Sequence, residues 1–159
     1  MKILINPNSI LRKKSVKYTG KFDGDLQKYI SEMFKIIKTN KGIGLAAPQI
    51  GRNEKIIIAR LNKKNYTLIN PKIIRKSSDL IECEEGCLSV PKTWGKVQRA
   101  SKVKVRARNQ FGKKVSIKAE GLLSVVFQHE IDHLSGILFI DKADPKTLKH
   151  TEPKNDQKL

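Results

Sequence analysis

The feature that most constrains this chain is the pattern His-Glu-x-x-His at residues 129–133. Residues four apart lie on one face of an α-helix, so His129 and His133 can reach one metal ion if this segment is helical. Glu130 follows the first histidine and can be directed at a water molecule on that ion. The chain has three histidines, and two of them have this spacing. The pattern therefore predicts a helix and indicates metal-assisted attack of water on a carbonyl.

Apolar residues lead into the two histidines on the same helical face. Leu122 and Val126 precede them at helical spacing in the segment 121–138, which we predict to be one helix. The metal would therefore lie against a buried helix face. A second amphipathic helix is predicted over residues 23–41, where apolar residues also recur with helical periodicity.

Alternating apolar and charged residues predict antiparallel strands elsewhere. The clearest alternation, on both sides of a turn, predicts a β-hairpin over residues 102–120. Shorter β-like segments are expected at residues 55–60, 66–70 and 72–75, with Asn70-Pro71 separating the last two.

Size and hydropathy favour one domain without a membrane segment. We expect a catalytic domain over residues 1–141, followed by a polar, mobile tail over residues 142–159 that lacks apolar periodicity. No apolar run approaches the roughly 20 residues that span a membrane. The N-terminus also lacks the long apolar region of a signal peptide. We therefore expect a cytoplasmic protein that does not bind membranes.

The chain is strongly basic, with 33 Lys and Arg residues against 15 Asp and Glu residues and a net charge of +18. Such a charge attracts polyanions such as ribosomal RNA. The basic residues are spread along the whole chain, however, which favours a solvated lysine-rich surface. We expect at most a transient ribosome contact through this surface, and no sequence-specific nucleic-acid binding.

Two histidines leave a metal site incomplete, so a third ligand is needed. The longer pattern H-E-x-x-H-x-x-G-x-x-H is followed as far as Gly136 but has Phe139 at its last ligand position. Asp141 and Asp144 are the nearby carboxylates, and little chain remains to build a helix that presents them. Cys87 is the remaining strong donor. A Cys/His/His set leaves a fourth position open, as catalytic sites do.

A closed structural zinc site is the main alternative for these ligands. Cys83 and Cys87 would join the two histidines in a Cys₂His₂ set. The interval between Cys87 and His129 is far longer than the roughly 12–15 residues of a zinc finger. A closed site would also have no use for Glu130.

Three segments resemble the signature segments of the peptide deformylase family: GIGLAAPQ at 42–49, EGCLS at 85–89 and QHEIDHLSG at 128–136. They occur in the family's order and at its spacing, and the resemblance extends from near the N-terminus to Asp141. It implies an α+β fold in which antiparallel β-strands pack around a central helix carrying the H-E-x-x-H motif. It also implies a hydrolase that removes the formyl group from the N-terminal formyl-methionine of nascent polypeptides.

The resemblance implies a role for each residue of the site. Cys87, His129 and His133 would bind one divalent metal ion, commonly Fe²⁺ in this family, with Ni²⁺, Co²⁺ or Zn²⁺ as substitutes. Glu130 would act as general base and then as general acid.

Further residues match positions that bind the substrate in the family. The side-chain amide of Gln49 and the backbone N–H of Leu88 match the donors to the formyl oxygen. The remaining matches hold the substrate backbone or form the methionine pocket, and they are Ile43, Gly44, Cys83, Gly86, Leu122 and Val126.

Three neighbouring residues have two interpretations each. Glu85 either pairs with Arg99 and braces the Cys87 turn, or is solvated. Gln128 either orients Cys87 or Gln49 or has no part in the site, and Trp94 either flanks the pocket or packs on a hairpin. Two rival functions also fit parts of the pattern: a small zinc peptidase with a non-cysteine third ligand, and a basic RNA-binding protein with a structural metal.

Overall fold

The structure is a computed structural model that describes residues 1–150. Two helices, α1 (Gly24–Thr39) and α2 (Leu122–His133), occur among these residues. The strands are β1 (Gly44–Ala46), β2 (Ile56–Leu61), β3 (Lys64–Lys76), β4 (Leu80–Cys87), β5 (Val90–Ala100), β6 (Lys102–Arg108) and β7 (Lys114–Glu120). Short 3-10 turns lie at Ser9–Arg12, Ala47–Ile50, Phe139–Asp141 and Pro145–Thr147. Neither helix is long and apolar enough to cross a membrane.

The strands form two antiparallel sheets around α2. Five strands pair in the order β1-β2-β3-β6-β7, and β4 pairs with β5 in a separate hairpin. Helix α2 contacts β1, β2 and β7 of the large sheet and β5 of the hairpin. This arrangement confirms the predicted α+β fold with antiparallel strands around a central helix that carries the H-E-x-x-H motif.

Strand β2 shows how the large sheet is covered on both faces. Side chains alternate across a strand, so Ile57 packs in the cluster with α2, whereas Ile56 and Ile58 pack in the cluster with α1. Helix α1 begins after Asp23, whose carboxylate accepts a hydrogen bond from the Leu26 backbone N–H. The prediction of a helix over residues 23–41 is confirmed to within two residues at its C-terminal end.

Two predicted boundaries differ from the structure. Helix α2 ends at His133 rather than at residue 138, because Gly136 has a φ of +72° and packs against the backbone of Arg12. Strand β3 continues through Asn70-Pro71, where the sequence predicts an interruption. Its pairing with β6 shifts register at this point, and Asn70 has a φ of +53°.

The first part of the expected tail packs on the hairpin. Lys149 and Trp94 exchange two backbone hydrogen bonds, of 2.8 and 2.9 Å, and the Leu148 side chain covers Gly95. Packing therefore continues beyond the expected boundary at residue 141. The residues that make these few contacts show no apolar periodicity in the sequence. Residues 151–159, the rest of the expected tail, lie outside the described residues.

Candidate functional site

Helix α2 and strand β4 bring three potential metal ligands together. The ligand atoms of Cys87, His129 and His133 lie within 4.8 Å of one another, and all three residues are buried. The Cys87 Sγ lies 3.3 Å from His133 Nε2. The His129 Nε2 is buried and has no hydrogen-bond partner among the described residues. A buried ring nitrogen is normally satisfied, so this atom fits a metal ligand whose ion completes its bonding.

The donor set also fits a divalent transition metal. One thiolate and two imidazoles suit iron, nickel, cobalt and zinc, and three protein ligands leave a position for water or substrate. The cluster is therefore a candidate site for a single metal ion.

The closed Cys₂His₂ site is not formed. Cys83 is not a member of the cluster, and its Sγ instead lies 3.8 Å from the carbonyl oxygen of Glu84. Phe139 occupies the last ligand position of the longer pattern H-E-x-x-H-x-x-G-x-x-H, and the structure shows its role. Phe139 stacks on the His129 ring, with 6.2 Å between ring centroids, and thus packs behind a ligand.

The two downstream carboxylates have partners of their own. Asp141 forms an ion pair with Arg12 and accepts a hydrogen bond from the Leu138 backbone N–H. Asp144 accepts from the backbone N–H of Lys146 and caps a short 3-10 turn. Neither carboxylate belongs to the candidate metal site.

Glu130 lies in a space that a glycine provides. Its side chain is completely buried, and neither carboxylate oxygen has a hydrogen-bond partner within residues 1–150. Burial raises the pKa of Glu130 to about 7, against the lowering effect of the Arg99 charge. A Cβ on Gly44 would lie 2.3 Å from Glu130 Oε1, so a larger residue in strand β1 would displace the carboxylate.

Gln49 is fixed so that its amide nitrogen points toward the cluster. Its Oε1 accepts a hydrogen bond of 2.8 Å from the Ala46 backbone N–H. Its Nε2 lies 3.4 Å from Cys87 Sγ and 3.2 Å from Ser89 Oγ. Leu88 lies between Cys87 and Ser89 in the turn that joins β4 to β5. Sequence reasoning missed Ser89, a buried side chain in the EGCLS segment.

A buried ionic network holds His129. The Glu85 carboxylate accepts hydrogen bonds of 2.7 and 2.9 Å from Arg99 and lies 2.8 Å from His129 Nδ1. Burial alone would raise the pKa of Glu85, but the hydrogen bonds from Arg99 and His129 lower it to about 2. The predicted Glu85–Arg99 pair is confirmed. By engaging Nδ1, Glu85 orients the ring so that Nε2 faces the cluster.

The comparisons with known proteins identify the family. Residues 1–149 match the family model described as polypeptide deformylase. The chain belongs to the polypeptide deformylase family.

A peptide deformylase from Helicobacter hepaticus is 40% identical over 149 residues, which cover 88% of this chain and 81% of the relative. A peptide deformylase from Caldicellulosiruptor bescii is 43% identical over 142 residues, covering 89% and 84% of the two chains. The crystal structure of peptide deformylase from Thermotoga maritima aligns with a TM-score of 0.87 at 36% identity, covering 91% of this chain and 97% of that one.

The residues that resemble the deformylase methionine pocket are partly brought together. Ile43 and Val126 lie in the hydrophobic cluster between α2 and the sheet, and Cys83 packs against the same cluster. Leu122 is 43% exposed at the start of α2 and is not among the residues of that cluster. The structure therefore does not group Leu122 with the other three residues.

Two strand edges near the cluster are unpaired within the described residues. β1 is the outermost strand of the large sheet, and β4 pairs with β5 alone. The Ile43 carbonyl accepts a hydrogen bond from Arg60, on the β2 side. Backbone groups alternate in direction along a strand, so the N–H and C=O of Gly44 point to the open edge. On β4, Trp94 packs directly on Gly86, where a Cβ would lie 2.8 Å from its ring, so Trp94 packs on the hairpin.

The structure decides between the two interpretations of Gln128 and places its contacts outside the candidate site. Its amide hydrogen-bonds with the backbone of Ala100 in both directions, at 3.2 and 2.9 Å, and with Ser124. It fastens α2 to the end of β5 and contacts neither Cys87 nor Gln49. The i, i+4 spacing of Ser124 and Gln128 on one helix face was the available signal for this role.

Proposed function

We propose that this chain is a metal-dependent peptide deformylase that removes the formyl group from the N-terminal formyl-methionine of nascent polypeptides. The observation that carries the proposal is the buried, unpartnered carboxylate of Glu130 beside the Cys87, His129 and His133 cluster, as seen within residues 1–150. Membership of the polypeptide deformylase family supports the same reaction.

Cys87, His129 and His133 would hold one divalent metal ion. When bound, the ion supplies Lewis acidity, which lowers the pKa of a water molecule and polarises a carbonyl oxygen. We propose Fe²⁺ as the ion in the cell, with Ni²⁺, Co²⁺ or Zn²⁺ as substitutes. The mixed sulfur and nitrogen donor set supports this choice without selecting one metal.

Glu130 moves the proton in this proposal. It accepts a proton from the water that attacks the formyl carbon and passes it to the amine that leaves when the C–N bond breaks. The products are formate and a peptide with a free N-terminal amine. Since neither Glu130 oxygen has a protein partner within the described part of the chain, the carboxylate is available for this transfer.

Gln49 and Leu88 stabilise the negative charge that develops on the formyl oxygen. The Ala46 N–H holds the Gln49 oxygen, so its amide N–H groups are left to donate toward the cluster. The backbone N–H of Leu88 is the second donor. Loss of one such donor typically lowers the rate by about 10²–10³.

The substrate would add as an extended strand between the two open edges. The backbone of Gly44 on β1, with Ile43 beside it, and Gly86 on β4 would bind its backbone. The methionine side chain would occupy the pocket formed by the side chains of Ile43, Cys83, Leu122 and Val126.

Formate release from a formyl-Met peptide tests the function and the role of Glu130. We expect release by the metal-loaded wild-type protein, and a loss of about 10²–10⁴ in kcat for Glu130→Gln with unchanged metal content. The residual metal in that variant is measured by elemental analysis. Cleavage of internal peptide bonds would instead support a peptidase, and full activity in Glu130→Gln would reject the proton role.

The two cysteines provide a matched test of the ligands. Cys87→Ala should lose metal affinity, because one of three ligand atoms is removed. Cys83→Ala should retain metal, since its thiol lies outside the cluster. Metal titration of both variants is the measurement, and equal affinities would reject Cys87 as a ligand.

We also propose a cytoplasmic location and a transient electrostatic contact with the ribosome. The net charge of +18 supports such a contact. Co-sedimentation with ribosomes that disappears between low and high salt is the expected result, and salt-independent binding would contradict it.

A further inference from the structure

A cationic pocket of about 550 Å³ opens between the end of α1 and the β2–β3 turn. We define it by Lys38, Lys41, Arg60 and Lys63, together with Gly42 and Ile43. No Asp or Glu residue lines it, and none of its four cations forms an ion pair within residues 1–150. Four cations around one concave space concentrate positive potential, which an anionic group would neutralise.

Two of the lysines have backbone conformations that favour glycine. Lys41 has a φ of +54° directly after the C-cap of α1, where glycine commonly ends a helix. Lys63 has a φ of +63° in the two-residue turn between β2 and β3, where Asn62 also has a positive φ. Glycine would adopt the backbone conformation at both positions with less strain than lysine. A role of both lysine side chains in the pocket would explain why lysine, and not glycine, occupies these positions.

The cationic pocket adjoins the start of β1, the strand along which we propose that the substrate binds. Gly42 precedes Gly44 by two residues, and Gly44 packs against Glu130. Two extended residues span about 7 Å, so the cationic pocket lies a short peptide length from the reacting atoms. A peptide whose formyl group lies at the metal cluster and whose backbone follows the edge of β1 would reach it with its third or fourth residue.

We propose that the cationic pocket binds acidic side chains at the third and fourth residues of the formylated substrate. This inference rests on the deformylase activity proposed above. A carboxylate there would relieve the repulsion among Lys38, Lys41, Arg60 and Lys63. Because the pocket lies away from the scissile bond, it strengthens binding of the substrate and of the transition state equally. Its effect therefore appears in KM rather than in kcat.

Three peptides that differ only in charge test the proposal. Formyl-Met-Ala-Xaa-Xaa amides carry Glu, Gln or Lys at both Xaa positions, and amidation removes the terminal carboxylate as a competing anion. We expect kcat/KM for the Glu peptide to exceed that for the Gln peptide roughly three- to tenfold, because each solvent-exposed ion pair contributes little. The Lys peptide should be slowest, and 0.5 M salt should reduce the differences, since it screens exposed charges.

Glycine substitutions remove the charge without introducing backbone strain. The double variant Lys41→Gly and Lys63→Gly should keep or raise the melting temperature, because both positions have positive φ. It should hydrolyse the Gln peptide as the wild type does and lose the preference for Glu. Lys118→Gln, a change in strand β7 outside the cationic pocket, should retain that preference and serves as the control.

Each other outcome has a defined meaning. Equal kcat/KM for the three peptides, or an unchanged preference in the double variant, overturns the inference and leaves the deformylase activity standing. A third outcome also overturns the inference. If the wild type shows no preference among the peptides and the double variant binds an RNA oligonucleotide more weakly, the pocket would bind phosphate groups. No formate release from any of the peptides rejects the inference together with the proposed function.

Discussion

Glu130 and Gly44 occupy adjoining positions at the centre of the site, one on α2 and the other on β1. The Glu130 side chain is completely buried, so the surrounding residues restrict its movement. A Cβ at position 44 would come within 2.3 Å of its Oε1 and within 2.8 Å of its carboxyl carbon. The absence of a side chain at Gly44 therefore determines where the Glu130 carboxylate lies.

Gly44→Ala should reduce kcat by about 10²-fold, the lower end of the contribution expected from a positioned general base. The added methyl group displaces the Glu130 carboxylate, while the three candidate ligands are untouched. Formate release and metal content are measured on the same preparation.

Gly24→Ala is the matched control for this substitution. A Cβ at Gly24, the first residue of α1, meets nothing within 4 Å. The control should retain full activity. Wild-type kinetics in Gly44→Ala would show that the carboxylate adjusts to the methyl group, and would contradict the positioning argument.

Among the elements, Arg99 connects the hairpin to the central helix. It lies on β5, pairs with Glu85 on β4, and donates a hydrogen bond of 2.5 Å to Asp132 on α2. Its side chain is 3% exposed, so all of these contacts are made away from water. One guanidinium thus aligns the two elements that carry Cys87 and the histidines.

Arg99→Gln should lower the free energy of unfolding by about 3–5 kcal/mol, because the buried Glu85 carboxylate loses its main partner. It should also weaken metal affinity by about 10–100-fold through the orientation of His129. Urea denaturation of the metal-free protein and metal titration measure the two effects separately.

Lys96→Gln in the same strand is the control. Lys96 pairs with Glu82 at the surface, with both side chains about half exposed, and such solvent-screened pairs contribute little to stability. Equal unfolding free energies for the two variants would mean that the buried network adds nothing beyond a surface pair.

For the molecule as a whole, residues just beyond the predicted domain boundary at residue 141 pack on the β4–β5 hairpin. We propose that it extends to His150, whose Nδ1 lies 3.2 Å from Thr93 Oγ1 on β5. A chain ending at residue 141 should lose about 2 kcal/mol of stability, because Leu148 packing and two backbone hydrogen bonds disappear. Thermal or urea unfolding tests this against a chain ending at residue 150, which retains all the described contacts. Identical stabilities would place the boundary at residue 141 after all.

Sequence reasoning predicted the features that depend on the residues of a single helix or hairpin. The spacing within α2 predicted both histidines and Glu130 as a site, and alternation predicted the β6–β7 hairpin. Contacts between distant segments leave weaker signals in the sequence. Nothing in the sequence around Asp132 indicates that it pairs with Arg99 on β5. Gln128 kept two interpretations for the same reason, because its backbone partner Ala100 on β5 cannot be seen in the local pattern. Strand β3 kept its continuity through a proline because a register shift accommodates it.

The burial of α2 between two sheets has a consequence for the order of events in the cell. Cys87 is synthesised well before His129, and the ligands meet only when the β4–β5 hairpin closes on the helix. An incomplete chain that ends before α2 therefore lacks two of the three candidate ligands.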